Sequence, residues 1–195
     1  MRVRHALSIR PLSLLVVAAT STALLGGIAL AGINDADAAR GAFALLEEPF
    51  DDADALDARA EPVGRLLVAA SSRLLYQSQT ERYWISLASN DDVCLTALLT
   101  VDEAEWAAAT GCGPLHLVLS QALTLSVTSA SAVLDASLVA DDVLTPANRS
   151  MLADSGVTVA GNNLVVFSPG KRPYDLAIQS NAGAIINLGS SASTR

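Results

Sequence analysis

His116 and Ser120 stand four residues apart, a spacing that places two side chains on one face of a helix. A histidine beside a serine suggests nucleophilic chemistry. That chemistry needs a base in reach of the hydroxyl and a third group that orients the base. The chain has no G-x-S-x-G elbow, and Leu115, Leu117 and Val118 surround His116 with apolar residues, so a packed or capping histidine is the expectation. Asp51, Asp52, Asp54, Asp57 and Glu61 form an acidic run. It departs from a calcium loop, because Leu56 takes the place of the third oxygen ligand and Asp57 that of the glycine. A solvated helix face is expected there, with loose calcium binding by this run or by residues 90–92 as the alternative. The acids offer no specific pair for glycoside hydrolysis, and no glycine pattern forms a phosphate loop. No cofactor and no metal site are expected.

Tyr83, Trp84 and Trp106 are the large aromatics of the central region. Together they would make a surface platform for a carbohydrate or peptide; the commoner role of such residues is to anchor a core, and that is the expectation. Asn148-Arg149-Ser150 matches a glycosylation sequon, but it falls inside an expected helix.

Cys94 and Cys112 are the only cysteines. Neither zinc binding nor a C-x-x-C redox motif suits them, since no histidine pair accompanies them and they lie too far apart. In an oxidising compartment they are expected to form a structural disulfide worth roughly 3 kcal/mol by loop-closure entropy.

That compartment follows from the N-terminus. From Leu12 to Ile33 the chain reads LSLLVVAATSTALLGGIALAGI, without charge, proline or aromatic. At about 1.5 Å per residue such a helix crosses the roughly 30 Å hydrocarbon core of a bilayer. Arg2, Arg4 and Arg10 precede it and Asp35 and Asp37 come after it, which orients residues 1–11 as a cytoplasmic tail. The competing reading is a signal peptide cut after Ala36-Asp37-Ala38, which would secrete the remainder. The apolar run is longer than a usual signal core, so an uncleaved anchor in the cell membrane is expected, with lipid as the partner of residues 12–33. All 20 acids and nine of the 12 basic residues lie beyond Ile33, giving the outer part 9 − 20 = −11. This charge argues against nucleic acid or anionic lipid as a partner of the outer part.

The elements beyond the span read as α+β, mostly β: one antiparallel β-rich extracytoplasmic domain with one or two short helices. Residues 34–62 form an acidic linker and helical segment, 63–190 the domain, and 191–195 a tail. Pro49 interrupts the first of these, and Asp51 or Asp52 caps its second piece. Residues 73–79 and 82–89 form a hairpin in which Tyr83, Ile85 and Leu87 alternate with Arg82, Trp84 and Ser86. Further strands are expected at 93–100, around Trp106, at 122–129 and at 133–139. Thr145, Pro146 and Gly156 bracket a helix. Short strands at 157–160, 164–167, 175–179 and 184–188 complete the domain, with turns at Pro169-Gly170 and Pro173.

Phe43, Leu46, Pro49, Asp54 and Leu56, then Arg73-Leu74-Leu75-Tyr76, Tyr83-Trp84, Val93-Cys94-Leu95, Trp106 and Gly111-Cys112 make up a pattern. In it the chain resembles the outer domains of small membrane-anchored actinobacterial envelope proteins of unknown function. The resemblance covers residues 43–113 and implies the topology, the disulfide and the compartment, but no reaction. A non-enzymatic binding or structural module with an envelope-protein or cell-wall partner is the expected role. A secreted or anchored hydrolase, whose carboxylates converge only in the fold, is the alternative. A thiol assay on the native protein is expected to find no reactive thiol until reductant is added.

Overall fold

Serine and aspartate side chains build the turns that set the first sheet. The Ser78 hydroxyl accepts from the amides of Thr80 and Glu81, joining β1 (Arg73–Gln77) to β2 (Glu81–Leu87). Asp91, at φ 64°, turns β2 into β3 (Val93–Thr100), and Asp102 Oδ1 accepts from the amides of Ala104 and Glu105 before β4 (Trp106–Gly113). The four strands form an antiparallel meander in the order β1-β2-β3-β4. A short helix, α1 (Asp35–Ala42), precedes this sheet, and α2 (Leu115–Gln121) comes after it.

The second sheet comprises β5 (Leu123–Thr128), β6 (Val133–Leu138), β7 (Val157–Ala160) and β8 (Leu164–Phe167), in the order β5-β6-β8-β7. Between β6 and β7 lies α3 (Pro146–Asp154), whose cap Thr145 accepts from the Asn148 amide and whose proline sits in the first turn. A separate hairpin pairs β9 (Leu176–Gln179) with β10 (Ile185–Leu188). The computed structural model describes residues 35–68, 70–167 and 176–188. The expected span at 12–33, the turns at Pro169-Gly170 and Pro173, and the 191–195 tail lie outside them. Among the described residues no helix is long and apolar enough to cross a membrane. The architecture is α+β and mostly antiparallel β, with three short α-helices among those residues.

The main core lies between the sheets. Alternation sends Tyr83, Ile85 and Leu87 of β2 and Leu95, Ala97 and Leu99 of β3 to the same side as Leu125, Val127, Leu134, Ala136, Leu138, Leu164 and Val166 of the second sheet. On the far face of the second sheet, Val157, Val165 and Phe167 pack with Leu152 of α3 and with Ile178, Ile186 and Leu188 of the β9–β10 hairpin. The outer face of the first sheet is also covered: Trp84 and Leu98 pack with Ala60, and Leu56 closes over them. Trp84 and Ser86 are therefore buried, although alternation in β2 suggests a half-buried strand. The cause is the additional layer that residues 55–67 lay over the sheet.

The start of the segment expected at 34–62 as acidic linker and helical pieces is helical and part of the domain. It is α1, which packs on the main core through Ala39, while the adjoining Phe43 is fully buried there. Alanine allows the helix to approach closely, and such contacts leave no stripe of large residues in the sequence.

Arg73 holds this N-terminal strap to the sheet. Its guanidinium is buried, donating from Nε and Nη2 to the Glu48 carbonyl (2.9 and 2.5 Å) and from Nη1 to the carbonyls of Ala70 (3.0 Å) and Ser72 (2.7 Å). Asp54 lies 3.8 Å from Nε and balances the charge, while its Oδ1 accepts from the Leu74 amide. Arg73→Ala would leave three carbonyls short of donors and a buried carboxylate without its counter-ion. It is expected to lower stability by about 3 kcal/mol, as read by urea unfolding.

Candidate functional site

The residues singled out for catalysis do not converge. His116 is exposed on α2, because Leu115 and Val118 take the buried positions of that helix; of the packed or capping histidine expected, the packed form is not found. The Ser120 hydroxyl donates to the carbonyls of His116 (2.9 Å) and Leu117 (3.1 Å), so it engages the backbone of its own helix and not the imidazole.

The acidic run is dismantled into local roles. Asp51 caps a 3-10 turn at Asp52–Asp54, accepting from the amides of Ala53 and Asp54, and Asp54 returns the bond from the Asp51 amide. Asp54 is thereby buried rather than solvated. Asp57 receives both Nε and Nη2 of Arg59 at 2.9 Å and Nη1 of Arg82 at 3.1 Å. The hydrogen bond from Arg59, aided by the charge of Arg82, holds the Asp57 carboxyl at about 2. Arg59 also donates to Thr100 Oγ1 at 3.2 Å, so this triad fastens the outer cover to the first sheet. Among the described residues no group of three or more histidine, cysteine or acidic side chains is arranged to hold a metal.

Cys94 and Cys112 are bonded, with a Cα separation of 4.1 Å. They face one another across β3 and β4, Cys94 fully buried and Cys112 exposed on the outermost strand. The bridge fixes the C-terminal end of β4 to its neighbour.

The three aromatics form no common platform. Tyr83 and Trp84 are adjacent in β2 and point to opposite faces of the sheet, both buried. The Tyr83 hydroxyl donates to Glu81 Oε2 at 3.2 Å, and burial pushes its pKa upward. Trp84 Nε1 and, two residues on, Ser86 Oγ are buried without a hydrogen-bond partner. Trp106 is exposed at the start of β4. The sequon asparagine is engaged inside the fold: Asn148 is buried, and its amide nitrogen donates to the carbonyls of Val143 (2.6 Å) and Gln179 (2.8 Å).

A surface the sequence motifs do not mark lies over the outer face of the first sheet. A cleft of about 360 Å³ is lined by Phe50, Leu56, Glu61, Gly64, Leu67, Val68 and neighbouring small residues. Around it Phe50, Val63, Leu66 and Val68 expose 42%, 39%, 74% and 45% of their surface, and Leu66 is the most exposed large apolar residue described. The loop is fixed by its backbone: the Val68 amide donates to the Leu87 carbonyl, the Ser89 amide to that of Leu66, and Leu67 bridges Ala88. Ser71 Oγ both donates to the Leu87 carbonyl and accepts from the Leu87 amide. A smaller cleft of about 190 Å³ adjoins it, sharing Val68 and Ala70 and adding Arg40 of α1 and Arg73. A third, of about 220 Å³, is lined by Glu48, Asp141, Asn162 and Asn163 among others. His116 lines none of the three. The sequence signal for this surface is Leu66-Leu67-Val68, three consecutive apolar residues that no single buried face can accommodate.

Asp57 ionises more readily in the fold than at its ordinary value of 3.8, so its stabilising effect is complete above that pH and fades as the pH falls toward about 2. Asp57→Asn is expected to lower the urea midpoint at pH 6 and to match the parent near pH 2. Ser86→Ala removes a buried hydroxyl that bonds nothing, and a gain of about 1 kcal/mol is expected in the same measurement. Compared with family models, curated proteins and solved structures, the chain matches none.

Proposed function

We propose that this chain is a single-pass, membrane-anchored envelope protein whose outer domain is a binding or structural module without catalytic chemistry. The observation that carries the reading is the exposed apolar surface of Phe50, Val63, Leu66 and Val68 on an otherwise strongly acidic domain. A patch of this kind, held by backbone bonds to a sheet, suits contact with another surface. The fold's disulfide agrees with an oxidising compartment outside the cytoplasm. The uncharged run from Leu12 to Ile33, with arginines before it and aspartates after, supplies the anchor in this reading. The similarity to actinobacterial envelope proteins stands as part of the same proposal, as does an envelope-protein or cell-wall partner.

The fold also bears on cleavage after Ala38. Ala36 and Ala38 lie in α1 against the main core, and Ala39 is fully buried. Removal of residues before Ala39 would take half of a helix that the domain uses, which favours the uncleaved anchor over secretion. Blotting of membrane and culture fractions tests this: the full-length chain is expected in the membrane fraction, and a shorter soluble product starting near Ala39 would defeat the reading.

A further inference from the structure

We infer that the loop carrying Val63, Leu66 and Val68 rests on the lipid surface of the membrane that anchors the chain, with Arg65 at the headgroups. The inference rests on the anchored reading proposed above, and three observations on the domain carry it further.

The first is exposure. Leu66 shows 74% of its surface and Val68 45%, and Phe50 extends the patch across the adjoining cleft. The second is charge. The outer part has a net charge of 9 − 20 = −11, yet residues 62–80 contain no aspartate or glutamate and hold Arg65 and Arg73. Arg73 is consumed internally, but Arg65 is exposed beside Leu66. Leucine and valine flanked by arginine is the composition of segments that lie at the boundary between headgroups and acyl chains.

The third is reach. Only Asn34 separates Ile33, the outer end of the anchor in this reading, from the first residue of α1. Two residues extend at most about 7 Å, and the five steps from Asp35 to Arg40 rise about 7.5 Å. Arg40 lines the same small cleft as Val68. The patch therefore lies within a short chain path of the bilayer surface, and lipid is the occupant held at that distance by covalent connection. Glu61 lines the cleft and Asp51 and Asp52 are exposed next to Phe50, so the contact is placed on Arg65, Leu66 and Val68 and not on the cleft wall.

The test uses full-length protein reconstituted in phosphatidylcholine–phosphatidylglycerol vesicles that contain lipid spin-labelled near the headgroup. Leu66→Cys and, as a control, Met151→Cys are each labelled with an environment-sensitive fluorophore; the native cysteines are protected by their bridge. Met151 is exposed on α3, beyond the second sheet and on the opposite side of the sheet stack from the cleft. Quenching several-fold stronger at position 66 than at 151 is the expected result. Equal, weak quenching at both positions in protein that floats with the vesicles would overturn the inference and leave the anchor intact. Protein that stays behind when the vesicles float would overturn the anchor itself. A label at 66 that is shielded from water but not quenched by lipid would overturn the inference in favour of a protein occupant.

Discussion

A guanidinium buried against backbone carbonyls is the constraint on which the rest of the domain depends. Arg73 opens β1 at the edge of the first sheet, and its fork gathers the carbonyls of Glu48, Ala70 and Ser72. Those three groups belong to the strap before the sheet and to the loop that crosses its outer face. A single side chain thereby fixes the position of both. Burying a charge is tolerable only when its donors and its counter-ion are all supplied, and here Asp54 is held by two amides so that it can face the arginine. The Phe50 ring, 5.8 Å from the guanidinium, shields the assembly from solvent.

The consequence is a pair of sheets covered on both outer sides. The second sheet receives α3 and the β9–β10 hairpin; the first receives the loop that ends in the Arg73 clasp. The two covers differ in chemistry. One is a conventional apolar layer built around Leu152, Phe167 and Ile178. The other packs through Leu56 and Ala60 but is also pinned by hydrogen bonds and ion pairs, Asp57 with Arg59 and Arg82 among them, and leaves Val63, Leu66 and Val68 facing outward. Elsewhere the sheets are joined at their tips: Glu105 in the β3–β4 turn accepts from the hydroxyls of Ser129 and Ser131 and from the Ser131 amide in the β5–β6 turn.

The parts legible in the sequence are those whose cause is local. Strands at 93–100, 157–160 and 164–167 and the helix bracketed by Thr145, Pro146 and Gly156 carry their signals in turn residues and in short-period alternation, and they occur where those signals put them. The cysteine pair is readable because two cysteines with no histidine pair beside them and no C-x-x-C spacing have few alternatives to a bond with each other. The Arg73 clasp is not readable, because its acceptors are carbonyls, which every residue possesses. The exposed loop is only partly legible: the run Leu66-Leu67-Val68 is too apolar for one buried face, but only the packing shows that Leu66 and Val68 are the ones left outside. Alternation alone puts Trp84 on a half-solvated side, because the cover over it comes from a distant segment with no strand-like pattern of its own.

The Ala44 amide donates at 2.7 Å to a carboxylate oxygen of Asp141, which lies 97 residues further along the chain, and the Asp141 amide returns a bond to the Ala42 carbonyl. Asn163, later still, holds the same carboxylate. The strap is thus among the earliest parts of the domain to be made and among the last to find its partners. A chain emerging N-terminus first must leave the Ala42 carbonyl and the Ala44 amide without these partners until Asp141 has been made. Contacts of such long sequence separation slow folding, and they leave the nascent strap as the stretch most in need of a chaperone's attention.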